Sequence, residues 1–172
     1  MELKDFIRNV PDFPIKGIQF KDVTTLLKEG EAFATAVDYM YEPFRQQDID
    51  KVAAIEARGF IFGAALAYKL NLGFIPIRKP GKLPAETISE EYELEYGKNA
   101  IEVHADSVRK GERILLVDDL LATGGTAAAA CRLIERLGGD IVGVSFLIEL
   151  TELKGRDLLK KYTVHSLIQY PV

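Results

Sequence analysis

Ile114-Leu115-Leu116-Val117-Asp118-Asp119-Leu120-Leu121-Ala122-Thr123-Gly124-Gly125-Thr126 is the stretch from which the rest of this chain is read. Its four consecutive apolar residues, Ile114 to Val117, have the character of a buried parallel strand. The strand is expected to end in two adjacent carboxylates, Asp118 and Asp119. A turn of Gly and Thr follows, then an Ala-rich helix from about Thr126. Carboxylates at the carboxyl end of a strand accept hydrogen bonds from sugar hydroxyls or hold a hydrated cation. A glycine-rich turn at a helix N-terminus bares backbone N–H groups that suit a phosphate. One short segment can therefore grip a phosphorylated sugar at both ends. The plainer alternative is a βα turn with a solvated Asp pair. Against it stand the mutual repulsion of neighbouring carboxylates and the hydroxyls of Thr123 and Thr126. The stretch is not a Walker A loop, because no Gly-Lys-Ser/Thr follows the glycines, and no G-x-G-x-x-G dinucleotide pattern is present.

Outward from this segment, strands and helices alternate. Residues 3–9 are expected to form a short helix before Pro11 and Pro14, and residues 31–47 an amphipathic helix carrying Phe33, Val37, Met40, Tyr41 and Phe44. Val52 to Ile55 reads as a buried strand, Gly59 to Leu70 as a helix with Asn71 and Gly73 as exit signals, and 73–78 as a further strand. The segment 79–90, with Pro80, Gly81 and Pro84, is expected to be a mobile loop, and 91–103 a two-stranded ribbon around Gly97. A helix over 126–137 ends at Gly138-Gly139, Ile141 to Ile148 forms the next strand, and shorter elements lie near 155–161 and 163–168. This order predicts an α/β fold, a parallel twisted sheet flanked by helices.

With 172 residues, 48% apolar and 28% charged, the chain is expected to be one domain, residues 1–172. A net charge of −4 argues against sequence-independent nucleic-acid binding, which needs a basic face. The single cysteine, Cys131, excludes an internal disulfide and falls on the apolar stripe of a helix, where a small buried hydrophobe is expected. Met1-Glu2-Leu3-Lys4-Asp5 does not start a secretory signal, and no apolar run is long enough to span a bilayer, so a cytoplasmic location is expected.

In open α/β sheets, sites lie at the carboxyl ends of the strands. That rule gathers Glu56-Ala57-Arg58, Arg78-Lys79 and Asp118-Asp119 at one rim. A ligand with two separate anionic groups and a hydroxylated ring fits such a rim. Read alone, Arg58 is equally a surface arginine paired with Glu56, and Arg78, Lys79 and Lys82 equally a solvated basic loop. Glu91, Glu93 and Glu95 share one face of a strand by period two, and the pattern makes that face solvated. His104 and His165 have no partners at metal-ligand spacing and read as structural.

The Val117-to-Thr126 segment resembles the phosphoribosyl-diphosphate (PRPP) signature of the type I phosphoribosyltransferases, and in particular of members that act on adenine. Phe13-Pro14, Gly17 to Asp22, Glu56-Ala57-Arg58-Gly59-Phe60, Ile77-Arg78-Lys79, Gly81 to Pro84, Leu94-Glu95-Tyr96-Gly97-Lys98, Glu149-Leu150 and Lys154-Gly155 are similar in order and spacing, about residues 5–170. The resemblance implies transfer of ribose 5-phosphate from PRPP to N9 of adenine, giving AMP and diphosphate. It implies the type I fold with an N-terminal hood (residues 1–30) and a flexible loop and ribbon (79–103) over the reacting centre.

It also implies a division of roles. Asp118 and Asp119 hold the ribose hydroxyls, and Ala122, Thr123, Gly124, Gly125 and Thr126 bind the 5-phosphate. Ala57, Arg58, Arg78, Lys79 and Lys82 meet the diphosphate, with a strained peptide at Ala57–Arg58 that frees backbone N–H groups. Gln19, Phe20, Lys21 and Leu120 line the adenine pocket, and Glu95 handles the proton on the base. Mg²⁺ is implied, held mainly through substrate and water, as is a homodimer. Two rivals remain at this point. One is a transferase for another base, opposed by the residues around Phe20 and Glu95. The other is a PRPP-sensing regulator that binds nucleic acid, opposed by the acidic single-domain composition.

Overall fold

The computed structural model describes residues 1–94 and 97–172 and divides into two compact units, residues 1–39 and 40–172. In the first, a 3₁₀ turn (Leu3–Phe6) leads into strand β1 (Arg8–Pro11), which pairs antiparallel with β2 (Gln19–Asp22). The helix expected over 3–9 is confined to that turn, because β2 supplies a strand partner from Arg8 onward. Arg8 Nε donates to Asp22 Oδ2 at 3.0 Å across the pair. The Oδ1 atom of Asp22 accepts from the Thr24 N–H (2.9 Å) and hydroxyl (2.7 Å), which starts the single-turn helix α1 (Thr24–Leu27). The Phe13 and Phe20 rings meet edge to face at 5.1 Å. Helix α2 (Gly30–Tyr41) follows. It stops short of the expected residue 47 because Pro43 turns the next residues into a 3₁₀ segment (Glu42–Phe44).

The second unit is built on a five-stranded parallel sheet whose strands are β3 (Lys51–Ile55), β4 (Gly73–Ile77), β7 (Arg113–Leu121), β8 (Asp140–Leu150) and β9 (Val164–Tyr170). Their order across the sheet is β4-β3-β7-β8-β9. Ile114, Leu115, Leu116 and Val117 are fully buried, as a strand covered on both faces requires. Each such side chain contributes roughly 1.5–3 kcal/mol of burial. Helix α3 (Arg58–Leu70) lies on the Ala54 face, where Gly63 sits so close that a Cβ would stand 2.5 Å from the Ala54 methyl. Helix α4 (Gly125–Arg136) packs with Ala53, Ile55, Ile114 and Leu116, the alternate residues, and so covers the opposite face. Cys131 is buried on α4 among these residues.

The ribbon pairs β5 (Thr87–Leu94) with β6 (Gly97–His104) antiparallel. Strand structure thus begins at Thr87, inside the segment expected to be a loop. The β6 partners from His104 backward, together with Arg132 and Arg136 of α4 gripping Glu90, hold it there. The Arg78 and Glu102 backbones bond reciprocally (3.0 and 2.7 Å), joining the end of β4 to the ribbon.

Candidate active site

The expected end of the central strand is corrected by the structure. β7 does not stop at the Asp pair but runs through it to Leu121, because the long strand β8 continues to offer partners as far as Leu121 opposite Glu149. On its other side the pairing with β3 ends at Ala54 opposite Val117. Asp118 is therefore the first residue of β7 without a β3 neighbour, and the sheet opens there.

The opening is a cleft of about 460 Å³, lined among others by Glu56, Arg58, Lys79, Asn99, Asp118 and Asp119. Asp119 is 7% exposed and accepts a hydrogen bond from Arg58 Nε at 2.5 Å. Asp118 Oδ1 accepts from the Asp119 N–H at 2.8 Å. Burial, and after it the Asp119 charge, push the Asp118 carboxyl well above the ordinary carboxylate range. Two acids in one pocket, with the proton affinity of Asp118 displaced, mark a site that gains from hydroxyl donors or a cation. Leu120 and Thr126 line the same cleft.

Immediately beyond β7 the chain folds into a second, smaller hollow bounded by Leu121, Ala122, Thr123, Gly124, Gly125 and Thr126. Gly124 has φ +90°, a left-handed conformation that a side chain would resist, and helix α4 starts at the next residue. The loop therefore presents the unbonded first amides of a 12-residue helix, with Thr123 exposed.

On the other flank, Glu56 gathers the basic residues. Its Oε1 accepts from Arg78 Nε (3.2 Å) and from the Lys79 N–H (2.7 Å), and its Oε2 from Lys82 Nζ (2.9 Å). Burial raises the Glu56 carboxyl, but the hydrogen bonds from Lys82 and Lys79 and the charges of Lys82 and Arg78 outweigh it and hold it below its usual value. Nothing in the sequence signals this role of Glu56, since a carboxylate beside Arg58 says nothing about partners more than twenty residues away. A non-proline cis peptide joins Glu56 to Ala57, one bond before the Ala57–Arg58 position at which strain was expected.

Arg58, Arg78, Lys79 and Lys82 thus stand with the Asp pair in the second unit. Gln19, Phe20 and Lys21 are on β2 of the first, where Asn9 links Gln19 and Lys21 through 2.8 Å bonds. Glu95 lies outside the described residues. Among those described, no cluster of three or more His, Cys, Asp or Glu is arranged to hold a metal. His104 accepts from the Ala85 N–H at 3.3 Å, and His165 packs edge-on against Phe44 at 5.0 Å.

Comparison with known proteins matches residues 22–170 to the phosphoribosyl transferase domain. A Halothermothrix orenii protein named adenine phosphoribosyltransferase is 62% identical over 98% of this chain and 99% of its own. A Clostridium perfringens protein of the same name is 58% identical over the full length of both. Among solved structures, adenine phosphoribosyltransferase from Thermoanaerobacter pseudethanolicus superposes with a TM-score of 0.95 at 53% identity, covering 98% of each chain. The Saccharomyces cerevisiae enzyme, complexed with an imino-altritol bisphosphate and adenine, superposes with a TM-score of 0.91 at 38% identity, covering 96% of each.

Proposed function

The chain belongs to the phosphoribosyl transferase family, and from that premise we propose how its cleft carries out the reaction. The chemistry is phosphoribosyl transfer from PRPP to adenine, giving AMP and diphosphate, as the identity to full-length adenine phosphoribosyltransferases supports. The observation that carries the site reading is the Asp118–Asp119 pair at the point where β7 outruns β3, followed at once by the free amides of α4.

Asp118 and Asp119 take the 2- and 3-hydroxyls of the ribose, whose donors relieve the repulsion between the two carboxylates. Their negative charge also offsets the positive charge that develops on the sugar as the anomeric bond breaks. The amides and hydroxyls of Ala122, Thr123, Gly124, Gly125 and Thr126 receive the 5-phosphate. Ala57, Arg58, Arg78, Lys79 and Lys82 meet the departing diphosphate, the guanidinium forks matching its oxygens. When bound, magnesium would supply Lewis-acid neutralisation of the diphosphate charge. The acidic pair is suited to a hydrated ion held mainly through substrate oxygens and water.

Leu120 in the cleft, with Gln19, Phe20 and Lys21, is assigned to the adenine, and Glu95 to the proton on the base. These roles rest on the family resemblance. Glu95→Gln is expected to lower turnover strongly while leaving PRPP binding intact. Residues 1–172 are taken as one functional domain, cytoplasmic and homodimeric. The outer side of α3, where Tyr68 is 90% and Ile61 38% exposed, supports an association surface. Incubation with PRPP, Mg²⁺ and each purine in turn tests the reading. AMP formed with adenine and no nucleotide with hypoxanthine or guanine is expected, and a 6-oxopurine nucleotide as the main product would overturn it.

A further inference from the structure

The loop assigned to the 5-phosphate does not stand alone, and what holds it from behind lies 31 residues beyond Gly124. Gly124, at the centre of the loop, faces Gly155 so closely that a Cβ on Gly124 would stand 2.5 Å from the Gly155 carbonyl oxygen. A Cβ on Gly155 would in turn stand 2.5 Å from the Ala122 carbonyl oxygen and 2.7 Å from the Leu121 side chain. The two backbones are in direct contact, so the position of residue 155 sets where the loop's amides point.

Gly155 is itself fixed by its neighbours. Lys154 before it is left-handed (φ +55°), and Arg156 after it is tied down on three sides. Arg156 Nε donates to both carboxylate oxygens of Glu149 at 3.0 Å. Its other nitrogens donate to the Val164 carbonyl (3.2 Å) and the Ser166 hydroxyl (3.3 Å). The Ser166 hydroxyl donates to Glu149 Oε1 at 2.5 Å. Glu149 is 5% exposed and pairs in register with Leu121, the last residue before the loop. A buried acid with a forked partner and a hydroxyl holds one geometry and has no role in the chemistry described above.

We propose that Glu149, Arg156 and Ser166 form a positioning clamp that presses Gly155 against the back of the phosphate loop and so sets its affinity for the 5-phosphate. The proposal rests on the reading of residues 122–126 as that loop. None of the three is a catalytic residue, since they act only through Gly155. The hydrogen bonds from Arg156 and Ser166 overcome burial and keep Glu149 below its usual value, so the clamp stays charged at neutral pH.

The test compares the wild type with Arg156→Lys and Ser166→Ala, measuring binding of ribose 5-phosphate and, separately, of magnesium diphosphate. Lysine keeps the charge but loses the fork, and the serine change removes one bond without opening a large cavity. The clamp predicts weaker ribose 5-phosphate binding in Arg156→Lys, by about tenfold to a hundredfold for a loop displaced by a fraction of an ångström. Diphosphate binding should be unchanged, the KM for PRPP should rise more than kcat falls, and Ser166→Ala should show the same pattern more weakly. A lower melting temperature with unchanged ribose 5-phosphate affinity would show a purely structural ion pair and overturn the proposal. Equal losses for both ligands would also overturn it. Failure of the wild type to bind ribose 5-phosphate at all would instead remove the loop assignment beneath it.

Discussion

Arg58 Nε donates to Asp119 Oδ2 at 2.5 Å, joining the first residue of α3 to the far end of β7 across 61 residues of sequence. The bond sets a cation beside the acidic pair at the mouth of the cleft, so one contact links the residues proposed for the sugar with one proposed for the diphosphate. Arg58→Ala is expected to raise the KM for PRPP by about tenfold or more, since a charged hydrogen bond to a phosphate oxygen is worth roughly 1.5–3 kcal/mol. Steady-state kinetics at fixed adenine checks this, and an unchanged KM would detach Arg58 from the donor.

Gly59 is the next residue, and there a Cβ would stand 2.7 Å from Asp118 Oδ1 and 3.2 Å from its Cα. Gly59→Ala must therefore displace Asp118 or the start of α3, at a cost of about 1–3 kcal/mol in stability. PRPP turnover should fall with it. A variant as stable and active as the wild type would show that the turn has room that the structure denies.

Asp118 is held in a form that stability alone does not favour. Its folded pKa lies above the unfolded value near 4, so the carboxyl destabilises the fold increasingly as pH rises from about 4 toward the folded value. Asp118→Asn is expected to stabilise the ligand-free protein at neutral pH, on the order of 1–3 kcal/mol, while lowering PRPP turnover. Thermal melting at pH 4 and pH 7 measures it. Equal melting shifts at both values would contradict the assigned cause.

Asp22 behaves in the opposite sense. Hydrogen bonds from the Thr24 hydroxyl and N–H, and then Arg8, lower its pKa from 3.8 to about 2. The stabilisation is full above about pH 4 and is lost as pH falls through the folded value. Between pH 4 and pH 2 the wild type should lose on the order of 2 kcal/mol more than Asp22→Asn does. Parallel acid-unfolding curves for the two proteins would refute this.

The parallel sheet was legible because Ile114–Val117 and Val52–Ile55 are unbroken apolar runs, and the turn into α4 because Gly124 and Gly125 stand at its start. The extent of β7 was not, since it depends on how far β8 runs beside it, which no local pattern in 118–121 records. The start of β5 at Thr87 was hidden for a similar reason. Pro84 and Gly81 mark a loop correctly, but the partner strand and the arginines of α4 that fix its end are distant in sequence. Glu56 and Glu149 were visible as residues, but their partners were not, because those lie in contacts rather than in spacing.

The central claim is that the Asp118–Asp119 pair and the amides after it clasp PRPP between them. Calorimetric titration of PRPP with saturating Mg²⁺ into the wild type and the Asp118→Asn/Asp119→Asn double variant tests it most directly. Saturable binding to the wild type is expected, with a loss of at least about a hundredfold in the variant, two charged hydrogen bonds being removed. No heat of binding to the wild type, or equal affinity for both proteins, would contradict it.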